Sequence, residues 1–234
     1  MRKQRSSEIR QTIAHEAARL MYDEGVDQYL DAKRLAAKRL FGRGGSQKLR
    51  YRPQDLPSNG EIKDALQELV QLVEGDLSQQ RLFAMRVIAF ETMNALEPFS
   101  PRLIGSVSTG HVRHGSDIDL HVFTEDIEEI EAYIRQKGWH FKMRQVTIRV
   151  AGEYKDYTHI HCERVFPIEL SVYSYYELRM TQRSSTDGQP IVRFKASVLE
   201  KMIAEEHSQE WEFYLATGEI MGLEQFEAGG IIQL

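Results

Sequence analysis

Apolar residues recur at steps of three and four through the first 40 positions. Ile9, Ile13, Ala17, Leu20 and Met21 form one stripe, and Tyr29, Leu30, Ala32, Leu35, Ala36 and Leu40 form a second. A helix returns to one face every 3.6 residues, so the spacing predicts two helices, or one bent helix, over 8–40 with Gly25 as the interruption. Gly42, Gly44 and Gly45 then stop the pattern; this Gly-Arg-Gly-Gly-Ser run lacks the lysine placement of a P-loop and reads as a helix stop and loop. Ser58-Asn59-Gly60-Glu61 is a capping-box pattern that starts a helix running to about Val73. A further helix is predicted over 77–96, ending before Pro98 and Pro101.

Beyond Pro101 the period shortens. An apolar strand ends in Gly105-Ser106, a polar loop follows, and a second strand runs from Asp117 to Val122. A helix is expected over 124–137, closed by Gly138, with early acidic positions that suit its positive end. Two strands follow, Trp139 to Val150 and Tyr154 to Cys162, joined by a turn at Ala151-Gly152-Glu153, and then a strand over 166–173. A loop over 181–190 and one or two helices over 194–226 complete the chain. Strands outnumber the crossovers that parallel pairing would need, which predicts an α+β fold with a mixed sheet flanked by N-terminal and C-terminal helices. The expected organisation is a helical region over 1–76, a core over 77–176 and a helical region over 177–234.

The candidate chemistry lies at the two central strands. Side chains at i and i+2 of a strand share a face, so Asp117 and Asp119 are expected to point one way while Ile118, Leu120 and Val122 pack. Two carboxylates held on one face repel unless a cation lies between them, and hard divalent ions such as Mg²⁺ prefer carboxylate oxygens. Gly105 permits close approach to the backbone, and Ser106 and the loop amides are placed to hydrogen-bond phosphate oxygens. The pattern reads as a site for a metal-chelated polyphosphate.

A strand ending in Gly-Ser, ten intervening residues (Val107 to Ser116) and then Asp-Ile-Asp-Leu resembles the signature of the DNA polymerase beta-like nucleotidyltransferases. The resemblance spans roughly 83–175. It implies an enzyme that transfers a nucleoside monophosphate from an NTP such as ATP to an acceptor, with loss of pyrophosphate. It also implies a third carboxylate on a later strand, best matched by Glu169 in Pro167-Ile168-Glu169-Leu170. Asp117, Asp119 and Glu169 would then be the catalytic, metal-holding residues for two Mg²⁺ ions, with Mn²⁺ as the substitute. Gly105, Ser106, Arg113 and Ser116 would bind the nucleotide, Arg113 meeting the charge of a leaving pyrophosphate. Arg179, Arg183, Ser184 and Ser185 are a second set of phosphate contacts, equally readable as an ordinary turn. The acceptor is open among RNA, a small molecule and a protein. Asp-x-Asp also occurs in glycosyltransferases that hold a metal-bound nucleotide sugar.

His159, His161, Cys162 and Glu163 suggest zinc, but on a strand the two histidines share a face that Cys162 does not, so they do not close around one tetrahedral ion. They are expected to be structural or to face substrate beside Glu169.

Composition adds two things. Hydrophobic residues make up 41% and charged residues 28% of the 234, as in ordinary globular proteins. No run approaches the roughly 18 apolar residues of a membrane span, the N-terminus lacks the apolar stretch of a secretory signal, and the single Cys162 suits the reducing cytoplasm. The net charge of −5 is unevenly spread: 13 lysines and arginines against 6 carboxylates up to Arg52, then 17 against 29. Lys33, Arg34, Lys38, Arg39, Arg43, Lys48, Arg50 and Arg52 form a stretch without a carboxylate. Two alternative readings are a non-catalytic nucleotide- or metal-binding protein that keeps the acidic site without an acceptor pocket, and a nucleic-acid-binding protein using the basic 33–52 segment. Its near lack of aromatics favours a solvated helix face, or a partner for the acidic C-terminal helix within one chain or across a homodimer.

Overall fold

A computed structural model describes residues 2–42, 52–150, 153–184 and 188–227 of the chain. Two compact units result, Met1–Ser78 with Arg183–Pro190, and Gln79–Gln182 with Ile191–Leu234.

The first unit is built on three helices, α1 (Arg2–Asp23), α2 (Tyr29–Phe41) and α3 (Asn59–Glu74). The apolar stripes read from the sequence meet in one cluster of Ile13, Ala17, Leu20, Ala32, Ala36 and Ile62. Ser58 caps α3 as its sequence predicts: its hydroxyl accepts from the Glu61 amide at 3.1 Å, and the Glu61 carboxylate accepts from the Ser58 amide at 2.7 Å. The basic stretch is partly engaged within this unit. The Arg39 guanidinium grips Glu24 through two bonds of 2.6 and 2.8 Å, and Lys33 Nζ donates to the Pro57 carbonyl at 2.7 Å. Arg39 therefore finds its acid just beyond the end of α1. Arg43, Lys48, Arg50 and the glycines 44 and 45 lie outside the described residues.

The second unit holds a five-stranded mixed sheet in the order β1-β2-β5-β4-β3. Its strands are β1 (Arg102–Leu103), β2 (Ile118–Phe123), β3 (Phe141–Val150), β4 (Glu153–Cys162) and β5 (Ile168–Tyr173). β2 and β5 run parallel; every other pairing is antiparallel. Around the sheet in sequence come α4 (Asp76–Ala95), the short α5 (Gly105–Thr109), α6 (Ile127–Gln136), α7 (Ala196–Glu206), α8 (Ser208–Thr217) and α9 (Glu224–Glu227). The expected mixed α+β architecture is present.

Strand alternation sorts the sheet's side chains. Ile118, Leu120 and Val122 of β2, Ile168, Leu170 and Val172 of β5, and Ile160 and Cys162 of β4 belong to one buried cluster. Helices close over it: Leu82, Met85 and Ala89 from α4, Ile130 and Ile134 from α6, Leu199 and Ile203 from α7, and Trp211 from α8 join the same cluster. From Arg81 to Ala89 every α4 residue is buried, so the middle of this helix presents no face to water, while Asp76, Gln79, Gln80, Glu91 and Asn94 are exposed at its ends. The helices after the sheet thus share its core.

Two local expectations need correction. The strand before Gly105 is only two residues long, and Gly105-Ser106 opens a helical turn instead of ending a strand. Gly105 has φ of +74° and Gly110, which ends the turn, has φ of +78°; both are conformations that glycine adopts freely. β2 begins at Ile118, so Asp117 sits one residue before the strand.

Candidate active site

The face of the sheet opposite the core carries polar groups. Register defines its rows: Asp119 stands opposite Glu169, and Glu169 opposite His161; one step along, His121 stands opposite Ser171, and Ser171 opposite His159. In parallel and antiparallel ladders alike, paired residues point to the same side, so Asp119, Glu169 and His161 form one row across three strands. Arg102, paired with His121, extends the second row on β1.

Asp119 lies against the α5 turn. Gly105 abuts it so closely that a Cβ at that position would overlap the Asp119 carboxylate. The residue keeps part of its surface, yet its carboxyl is enclosed by protein. Burial pushes the carboxyl up to about 8, and the neighbouring Asp117 and Glu169 carboxylates add to that. Glu169 moves the other way. His159 Nδ1 lies 2.7 Å from one of its oxygens and His161 Nδ1 3.6 Å from the other. The His159 hydrogen bond outweighs burial and holds Glu169 below the usual carboxylate range. Where two acids share a site, the proton goes to the one with less compensation; here Asp119 takes it while Glu169 keeps its charge.

Asp117, Asp119 and Glu169 are therefore brought together, but Glu169 is committed to two histidines. Among the described residues no three histidine, cysteine, aspartate or glutamate side chains form an arrangement ready to hold a metal ion. The donor chemistry nonetheless fits a hard divalent ion at the aspartates: oxygen ligands only, with electrostatic crowding that a cation would relieve.

The nucleotide-binding candidates are placed as follows. Ser106 is half-buried in the first turn of α5, directly after the glycine that abuts Asp119. Ser116 accepts from the Arg113 amide at 3.0 Å and so helps build the turn around Gly115. The Arg113 guanidinium donates to the His114 carbonyl at 3.0 Å, folding back on its own loop. Arg179 is exposed in a 3-10 turn over Tyr175–Arg179. Arg183 donates to the Gly188 carbonyl at 2.9 Å within the first unit, and Ser185 lies outside the described residues. Cys162 faces the core, its thiol pushed up to about 11 by burial, so it is no partner for the histidines. Glu163 pairs with Lys142 at 2.6 Å.

The strand pattern also contained two residues that the motif reading passed over. His121 is i+2 from Asp119 and Ser171 is i+2 from Glu169, so alternation alone puts both on the polar face. Burial pulls His121 down to about 3, with Arg193 the next cause, so it is neutral. Its Nδ1 accepts from Arg193 Nε at 2.9 Å. Arg193 also reaches the Glu177 and Met180 carbonyls at 2.8 and 3.1 Å and lies over the Phe123 and Tyr173 rings. No periodicity marks it; only the fold brings it there.

None of the family models, curated proteins or solved structures to which the chain was compared matches it.

Proposed function

We propose that the chain is a metal-dependent nucleotidyltransferase that moves a nucleoside monophosphate from an NTP to an acceptor and releases pyrophosphate. The observation that carries this reading is the in-register Asp119–Glu169 pair on adjacent parallel strands, with Asp117 two residues before Asp119 and Gly105 against its carboxylate. Three acids this close, one enclosed and short of compensation, are an unfavourable arrangement unless something positive is meant to join them.

Asp117 and Asp119 would hold Mg²⁺ or Mn²⁺, with Glu169 as the third carboxylate once released from His159. Such ions, when bound, draw off phosphate charge and lower the pKa of an attacking hydroxyl. The protein's own residues orient the reactants. The Ser106 hydroxyl, one residue after the glycine that abuts Asp119, hydrogen-bonds a phosphate oxygen. Arg113 unfolds from the His114 carbonyl to meet the charge that grows on the leaving group. The Gly105 backbone leaves room where a side chain would displace both carboxylate and phosphate. Until a cation joins, His159 and His161 hold the Glu169 carboxylate in line with Asp119.

The test is release of labelled pyrophosphate from γ-labelled ATP, CTP, GTP or UTP, with Mg²⁺ or Mn²⁺ and a fractionated cell extract as the source of acceptor. Transfer by the wild type and its loss in Asp119→Asn support the reading. Equal pyrophosphate release by a folded Asp117→Asn/Asp119→Asn double variant refutes it.

A further inference from the structure

Helix α4 places a guanidinium beneath the turn that carries Ser106. Arg86 is 1% exposed, in a stretch of helix where every neighbour is buried. An apolar side chain would fill that position without bringing a charge into the core, so the bonds Arg86 makes have to account for it. Its Nε donates to the Val107 carbonyl at 3.3 Å, and its Nη1 donates to Glu206 at 2.6 Å. Nη1 also lies 3.5 Å from His207 Nε2. A Cβ built on Gly110 would stand 3.8 Å from Nη2, so the guanidinium also runs under the residue that ends the turn.

The Val107 carbonyl is a group that needs such a partner. A helix leaves its last four carbonyls without intrahelical donors, and α5 has only five residues. The Gly105 carbonyl accepts from the Ser108 hydroxyl, and the Ser106 carbonyl accepts from the His111 amide. Val107, whose side chain is fully buried, is met from below by Arg86. The ion pair's other end is at the surface: Glu206, half exposed, is the last residue of α7, and His207 joins α7 to α8.

We infer that Arg86 is a positioning residue, which fixes the Gly105–Thr109 turn against Asp119 and ties that turn to the α7–α8 junction through Glu206. Its consequence for ligand binding rests on the nucleotidyltransferase reading; its consequence for the turn does not. A displacement of about 1 Å at such a site is enough to lose on the order of a hundredfold in rate, so a fixed turn matters more than its own small size suggests.

The test uses the full chain and three readouts: amide exchange of 105–111 against that of β2 and β5, affinity for Mn²⁺·ATP, and affinity for Mn²⁺ alone. Arg86→Lys keeps the charge but cannot span Val107 and Glu206 together. It should speed exchange across the turn by about tenfold, leave the β2 and β5 amides unchanged, and weaken Mn²⁺·ATP binding by about tenfold, with Mn²⁺ alone bound as in the wild type. Glu206→Gln, at a half-exposed position, should show the same pattern at about threefold, and decides the matter if Arg86→Lys does not fold. Wild-type exchange across the turn in whichever variant folds overturns the inference. Failure of the wild type to bind Mn²⁺·ATP or the Mn²⁺ complex of CTP, GTP or UTP overturns the nucleotidyltransferase reading instead, and the exchange result still decides the role of Arg86.

Discussion

The two faces of the β2–β5–β4 sheet are written in the same three strands, offset by one position. On one side Ile118, Leu120, Leu170 and Ile160 are buried in one cluster with residues of α4, α5, α6, α7 and α8. On the other, Asp119, Glu169, His121, His159 and His161 stand in rows, with one carboxyl displaced to about 8 and one imidazole to about 3. The first face satisfies every general expectation of a folded core. The second departs from those expectations, and it is held in place by the first. Stability and chemistry in this protein are therefore separable by a single step along a strand.

That separation can be broken from either side. The largest effect is expected at Asp119→Asn, which should lower the proposed nucleotidyl transfer on the order of a thousandfold, with the far-ultraviolet circular dichroism spectrum unchanged. Next is Leu170→Ala on the opposite face, which should destabilise the fold by about 3 kcal/mol, read by urea denaturation; transfer by the remaining folded fraction should be near normal. Gly105→Ala joins the two effects. A φ of +74° costs an alanine about 1–2 kcal/mol before the overlap with Asp119 is counted, so stability and metal affinity should fall together.

The smallest effect concerns pH. Asp119 holds its proton more tightly folded than unfolded, so between about pH 4 and 8 the folded state binds the extra proton and stability falls as pH rises. The metal-free protein should lose a few degrees of Tm across that window, and Asp119→Asn should lose less and melt above the wild type at pH 8. Mn²⁺ should restore the wild type alone. An Asp119→Asn curve that falls in parallel with the wild type would place the titration elsewhere.

Much of this was legible in the sequence because it depends on period. The α1 and α2 stripes, the Ser58–Glu61 cap and the alternation through β2 and β5 are local patterns, and each produced the element it implied. The convergence of Asp119 and Glu169, fifty positions apart, could be proposed only through the resemblance, and the register now sets them side by side. What could not be read was whatever depends on who pairs with whom. Nothing local says that His159 takes the Glu169 carboxylate, that Arg193 crosses to His121, or that Arg86 ends under Val107. Gly105-Ser106 misled for a related reason: glycine permits both a strand end and a helical turn, and its approach to Asp119 on the neighbouring strand is a tertiary contact.

The sheet's borders also differ. β1 is two residues long, and a bridge from Leu103 to Phe194 covers it, each residue donating its amide to the other's carbonyl. β3 forms the far border over ten residues, of which only the end near Phe141 lies where β4 is also paired with β5. Among the described residues, then, β3 is a long margin paired on one side only, and Lys142 and Arg144 place positive charge along it where a second strand would have to add.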